Sequence, residues 1–132
     1  VVDGFSSVAD ATDNITNGFM SAKLSPFVCR LNNGTYTFGE KQYKVNSFYM
    51  GDHAIHGLLY NRSFEIINTS VDLNHAAVQL QYKYSGADEG YPFSFTMQVA
   101  WKLEPGKQTG DRLTVTTSFT NNHSLPIPLA DG

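Results

Sequence analysis

Three stretches of this chain alternate apolar and polar side chains with a period of two, and that pattern confines it to an antiparallel β-architecture. Phe93, Phe95, Met97, Val99, Trp101 and Leu103 alternate with Ser94, Thr96, Gln98, Ala100 and Lys102. Val78, Leu80, Tyr82 and Tyr84 alternate with Gln79, Gln81 and Lys83, and Leu113, Val115, Thr117 and Phe119 alternate with Thr114, Thr116 and Ser118. Successive side chains of a strand leave opposite faces, so each stretch reads as a strand with an apolar inner face and a Thr/Gln/Ser/Lys outer face. Phe95, Val99, Trp101, Val115 and Phe119 are expected to be buried. Another strand is expected at 63–72. A hairpin is expected where Thr35–Phe38 and 42–45 flank Gly39-Glu40-Lys41. Glu89-Gly90-Tyr91-Pro92 reads as a turn opening the strand from Phe93. Residues 3–20, rich in Asp, Ser, Asn, Thr and Gly, read as loop with a short helical turn at 7–13, and residues 46–62 read as irregular. Strands of this length, joined by polar turns and almost without helical periodicity, argue an all-β fold, an antiparallel β-sandwich.

The chain has 132 residues, enough for one domain with a core. Charged residues make up 16 % and the net charge is −3, so neither a nucleic-acid footprint nor a polybasic membrane patch is present. No stretch approaches the apolar length of a membrane span and no signal peptide is visible, so a cytoplasmic location is expected. Aromatic residues, 13 % of the chain, suit β-sheet packing and would also suit a sugar cleft. Cys29 is the single cysteine, which excludes an internal disulfide; a lone cysteine is usually a small buried hydrophobe. The chain starts Val1-Val2-Asp3 and stops at Leu129-Ala130-Asp131-Gly132, and both ends are expected to be cut from something longer.

Few residues could carry chemistry. Arg30 lies between apolar residues just before a turn, a usual place for a structural ion pair. Its planar fork of donors also suits adjacent sugar hydroxyls. His53 and His56 form a His-x-x-His, but in an extended segment they face opposite ways, glycines at 51 and 57 disfavour a helix, and no third ligand is evident, so a metal is not expected. His56 precedes Gly57, a small neighbour that lets a ligand approach. Imidazole can give or take a proton near neutral pH, although many loop histidines do no chemistry. Asp88 and Glu89 are adjacent and do not make a convincing acid–base pair. Asn14, Asn33, Asn61, Asn68 and Asn122 each begin an Asn-x-Ser/Thr sequon, from which nothing is drawn in an Asn/Thr-rich chain.

Three segments, in order, resemble the aldose 1-epimerase (galactose mutarotase) family. Arg30-Leu31 ahead of Gly34-Thr35-Tyr36-Thr37-Phe38 looks like the family's Asn-Arg-Ile/Leu and Gly-x-Tyr/Phe-x-Phe. Ala54-Ile55-His56-Gly57 looks like its His-Gly motif, and Glu89-Gly90-Tyr91-Pro92 like its Glu-Gly-Tyr/Phe-Pro. The resemblance covers roughly residue 20 to the end. It implies a galactose mutarotase-like supersandwich, incomplete in this chain: a single partial β-sandwich domain over 1–132, truncated relative to the family at both ends.

The resemblance also implies interconversion of the α and β anomers of a free hexose by general acid–base catalysis, with no metal or organic cofactor. Arg30 would hold sugar hydroxyls. His56 would bind near the ring oxygen and support proton transfer, and so counts as both substrate-binding and catalytic. Cys29 stands where the family usually has Asn. The family's His-x-Tyr-Phe histidine and its late catalytic Glu have no counterpart here. The implied partners are a monosaccharide substrate and the remainder of the same protein or a complementary chain, with homodimerisation open. An epimerase of phosphorylated hexoses ranks lower, because Arg30 and Arg62 are its only candidates for a phosphate. The alternative is a non-catalytic carbohydrate-binding or structural β-sandwich, since fold does not fix function.

Overall fold

The computed structural model describes residues 4–106 and 110–132. They form two compact units. The first takes in the chain up to Arg62, Asp88–Pro92 and Ile127–Gly132; the second comprises Ser63–Ala87 and Phe93–Pro126.

The second unit is one four-stranded antiparallel sheet built from the alternating segments. Its strands, here labelled in chain order after those of the first unit, are β6 (Glu65–Val71), β7 (Ala76–Tyr84), β8 (Phe95–Glu104) and β9 (Arg112–Asn121), hydrogen-bonded in that order. The register pairs Leu80 with Val99, Tyr82 with Met97 and Tyr84 with Phe95 across β7 and β8, and Met97 with Phe119 across β8 and β9. Directly paired residues share a face, so these apolar side chains line one surface. A register shift between Ile66 and Asn68 puts a bulge in the outer strand β6.

Burial along that face is graded. Phe95, Met97 and Val99 are fully enclosed, and Tyr84 stacks on Phe95 at 5.2 Å. Trp101 and Phe119 are half-buried, and Val115 is 43 % exposed, which corrects its expected burial. Val115 sits on an outer strand with a single neighbouring strand, beside Leu103 and Leu113 at the end of the face with no covering layer among the described residues. The strand expected from Phe93 begins at Phe95, although Phe93 is itself buried.

The first unit is less regular. Helix α1 (Val8–Asn14) is capped by Ser7, whose Oγ accepts the Asp10 N–H, so the helical turn expected at 7–13 is present one residue along. β2 (Thr35–Phe38) and β3 (Lys41–Lys44) form the expected hairpin. Its connection is two residues, Gly39-Glu40, because Phe38 pairs with Lys41 and Gly39 takes a left-handed φ of 61°.

Residues 46–62, expected to be irregular, contain two short strands, β4 (Tyr49–Met50) and β5 (His53–Ile55). With β1 (Arg30–Leu31) they make a small antiparallel sheet in the order β1-β5-β4. Strands of two or three residues are too short to show a period. The Glu-Gly-Tyr-Pro turn is anchored inside this unit. Tyr91 is buried, the Tyr36 hydroxyl donates to the Gly90 carbonyl at 2.8 Å, and the Asp88 carboxylate accepts from the N–H groups of Gly90 and Asn46. Asp88 is therefore a turn-fixing group. No helix among the described residues is long and apolar enough to cross a membrane.

Candidate functional site

The small sheet brings Arg30 and His56 to neighbouring positions. Arg30 pairs with Ile55 across β1 and β5, and the next residue, His56, donates its N–H to the Cys29 carbonyl at 3.0 Å. Two residues distant in sequence thus stand one rung apart. Regular alternation would give Arg30 and His56 opposite faces, but it stops at this rung, since Cys29 and His56 both have left-handed φ, 60° and 62°. Asn, Asp and His are several-fold enriched in that region among non-glycine residues. His56 suits its place, and at Cys29 an Asn would fit the backbone better.

Arg30 is exposed and makes no ion pair among the described residues; its guanidinium lies 3.8 Å from the Met50 sulfur. A structural ion pair is therefore not what holds it, and its donors remain available to a ligand. Cys29 is exposed and free, against the burial usual for a lone cysteine.

His56 is half-buried. Its Nδ1 is buried without a hydrogen-bond partner among the described residues, which leaves Nε2 as the nitrogen able to meet a ligand. The ring lies against Phe19, centroids 4.3 Å apart and edge-to-face. Phe19 also meets Tyr60 at 5.2 Å and Phe48 at 5.8 Å. Burial pushes the Tyr60 hydroxyl's pKa up, with the nearby Arg62 charge opposing it. This aromatic surround carried no signal in the sequence, because Phe19 comes from the loop after α1. Arg62, the other candidate cation, donates from Nε to the Leu58 carbonyl at 3.4 Å and lines a 420 Å³ pocket with Asp13, Thr16, Tyr60 and Asn61.

His53, on β5, also has a buried Nδ1 without a partner. No cluster of three or more His, Cys, Asp or Glu able to hold a metal occurs among the described residues.

Gly57 completes the turn after His56. It is buried, with φ 78°, and its carbonyl accepts the Ser47 hydroxyl, while Leu58 and Leu59 donate their N–H groups to the Ser25 carbonyl at 2.8 and 3.2 Å. The His-Gly segment is thus clamped to the Ser25-Pro26 backbone, and His56 is presented from a fixed base.

Known proteins share this arrangement of strands. The chain is similar to a galactose mutarotase-like protein from Clostridium acetobutylicum, with a TM-score of 0.72 and 24 % identity over 93 % of this chain and 36 % of that one. It is similar to a GalM/aldose epimerase homologue from C. elegans, with a TM-score of 0.66 and 17 % identity over 91 % of this chain and 34 % of that one. It is also similar to galactose 1-epimerase from Lactobacillus acidophilus NCFM, with a TM-score of 0.60 and 20 % identity over 78 % and 30 %. At these identities the likeness establishes the all-β mutarotase-like fold, and the chain spans about a third of the length of each structure. No curated protein matches. The family model for aldose 1-epimerase matches residues 1–130, nearly the whole sequence, and the chain belongs to the aldose 1-epimerase family.

Proposed function

We propose that this chain is part of an isomerase that interconverts the α and β anomers of a free hexose. In this reading it contributes Arg30 and His56 to the sugar site, and the principal acid–base pair is supplied by other parts of the protein. The observation that carries the reading is the β1–β5 pairing, which sets Arg30, exposed and without an ion pair among the described residues, one rung from His56. Membership of the epimerase family supports the substrate class.

The reaction needs little beyond positioned proton donors and acceptors. A base takes the proton of the anomeric hydroxyl and the O1–C1 bond becomes a carbonyl. The bond from C1 to the ring oxygen breaks, and that oxygen receives a proton from an acid. Rotation about C1–C2 presents the other carbonyl face, and the reverse steps close the ring. Positioned acid–base groups of this kind each contribute about 10²–10⁴-fold. Arg30 would hold adjacent hydroxyls through its fork of donors. His56 would meet the sugar through Nε2 near the ring oxygen and support proton transfer there.

The test is polarimetry of freshly dissolved α-galactose and α-glucose with the intact protein that contains this chain. Acceleration beyond the spontaneous rate is expected. No acceleration combined with measurable sugar binding would overturn the catalytic reading in favour of a carbohydrate-binding domain.

A further inference from the structure

His56 lacks the usual device for orienting a working imidazole. A histidine ring is ordinarily fixed by a hydrogen bond from its second nitrogen to a carboxylate or a backbone carbonyl. Here Nδ1 is buried and finds no such partner among the described residues. The close contact that the ring does make is with Phe19, at 4.3 Å and an interplanar angle of 63°. Edge-to-face aromatic pairs are directional, because the positive edge of one ring meets the negative face of the other.

Phe19 is itself held in place. Its N–H donates to the Ile15 carbonyl at 3.0 Å and its carbonyl accepts from Ala22 at 3.1 Å. The loop turns sharply there: Gly18, Phe19 and Ser21 all have positive φ, at 126°, 55° and 54°. Two non-glycine residues in the left-handed region are costly, and such strain collects where a side chain must be aimed. On its other sides Phe19 meets Tyr60 and Phe48, and the Phe48 carbonyl accepts the Ile55 N–H at 2.9 Å, which ties the aromatic group to the strand that carries His56.

We propose that Phe19 is a positioning residue of the sugar site. Its ring replaces the missing Nδ1 hydrogen bond and fixes the His56 imidazole so that Nε2 faces the sugar. The proposal rests on the reading of His56 as a sugar-site residue and adds a dependence on a loop residue that touches neither sugar nor reacting atoms.

The test compares Phe19→Leu and Phe19→Tyr in the intact protein, alone and combined with His56→Ala. Anomerisation kinetics and the ¹³C–¹H signals of the His56 ring are the readouts. Small displacements of a reacting group can cost on the order of 10²-fold in rate, so Phe19→Leu is expected to lower kcat by about 10-fold or more with KM little changed. Phe19→Tyr, which keeps the ring, should restore most of that loss. In the His56→Ala background Phe19→Leu should cost nothing further. The His56 ring signals should carry an aromatic ring-current shift that disappears in Phe19→Leu. Should that variant unfold, Phe19→Met is put through the same measurements. Unchanged kcat and unchanged His56 signals in a folded Phe19→Leu, with His56→Ala impaired, would overturn the positioning role alone. Full activity in His56→Ala would overturn the sugar-site assignment and this proposal with it.

Discussion

Gly57 lies against the backbone of Ser25 with no room for a side chain: a Cβ at position 57 would stand 2.6 Å from the Ser25 carbonyl carbon and 2.7 Å from its nitrogen. The φ of 78° excludes an ordinary L-residue on separate grounds. Gly57→Ala therefore carries a left-handed penalty of about 1–2 kcal/mol and an overpacking cost of about 1–3 kcal/mol. A urea-denaturation midpoint clearly below that of the parent protein is expected. An unchanged midpoint would show that the backbone at Ser25 gives way to a Cβ at position 57.

Cys29 offers the opposite change. It is exposed, has φ 60° and passes its carbonyl to the His56 N–H. Asn is several-fold commoner than most residues in this region, a preference worth about 1 kcal/mol. Cys29→Asn is expected to raise the melting temperature. A lower one would mean that the thiol makes a contact the left-handed preference cannot outweigh.

The graded face of the four-stranded sheet separates two substitutions of similar chemistry. Met97 is fully buried and pairs with Tyr82 and Phe119, so Met97→Ala should cost about 2–5 kcal/mol. Val115, exposed on β9, should tolerate Thr within about 0.5 kcal/mol. Chemical denaturation of the two variants decides the matter, and equal losses would contradict the gradient.

At the turn between β6 and β7, the Asp72 carboxylate accepts the N–H groups of Asn74 and His75 at 2.7 and 2.9 Å. These bonds, that from Asn74 foremost, hold its pKa below the ordinary carboxylate value, and the His75 ring adds to the effect. A carboxyl whose folded pKa is depressed stabilises the fold above its unfolded pKa, and that contribution is lost as pH falls through the folded pKa. Titration followed by NMR should place the Asp72 midpoint below 3.8, and Asp72→Asn should remove this part of the acid sensitivity. A midpoint at or above 3.8 would show that the turn bonds do not persist in solution.

The long strands were legible because alternation over seven or more positions specifies both a strand and its inward face. Val115 shows the limit of that signal: alternation says which way a residue points and carries nothing about how deeply that end of the face is covered. β1, β4 and β5 were invisible for a different reason, since strands of two and three residues have no period. Arg30 and His56 could be picked out by residue type and motif. Their adjacency came only with the pairing of Arg30 and Ile55. Phe19 left no trace in the sequence at all, because its place on His56 is set by three positive φ angles in a polar loop.

Arg30 and His56 should separate kinetically in the intact protein. Arg30 is exposed and unpaired among the described residues, so its removal leaves no buried group stranded; Arg30→Ala should chiefly raise KM by loosening the hydroxyl contacts. Lys at this position keeps the charge and loses the planar fork, and should recover only part of the affinity. His56→Ala should act mainly on kcat, by about 10²-fold or more if the imidazole takes part in proton transfer at the ring oxygen. Anomerisation rates measured across a range of sugar concentrations, with melting curves to confirm folding, distinguish the two effects. A fall in kcat for Arg30→Ala with KM unchanged, or a His56→Ala protein as fast as the parent, would refute this division of labour.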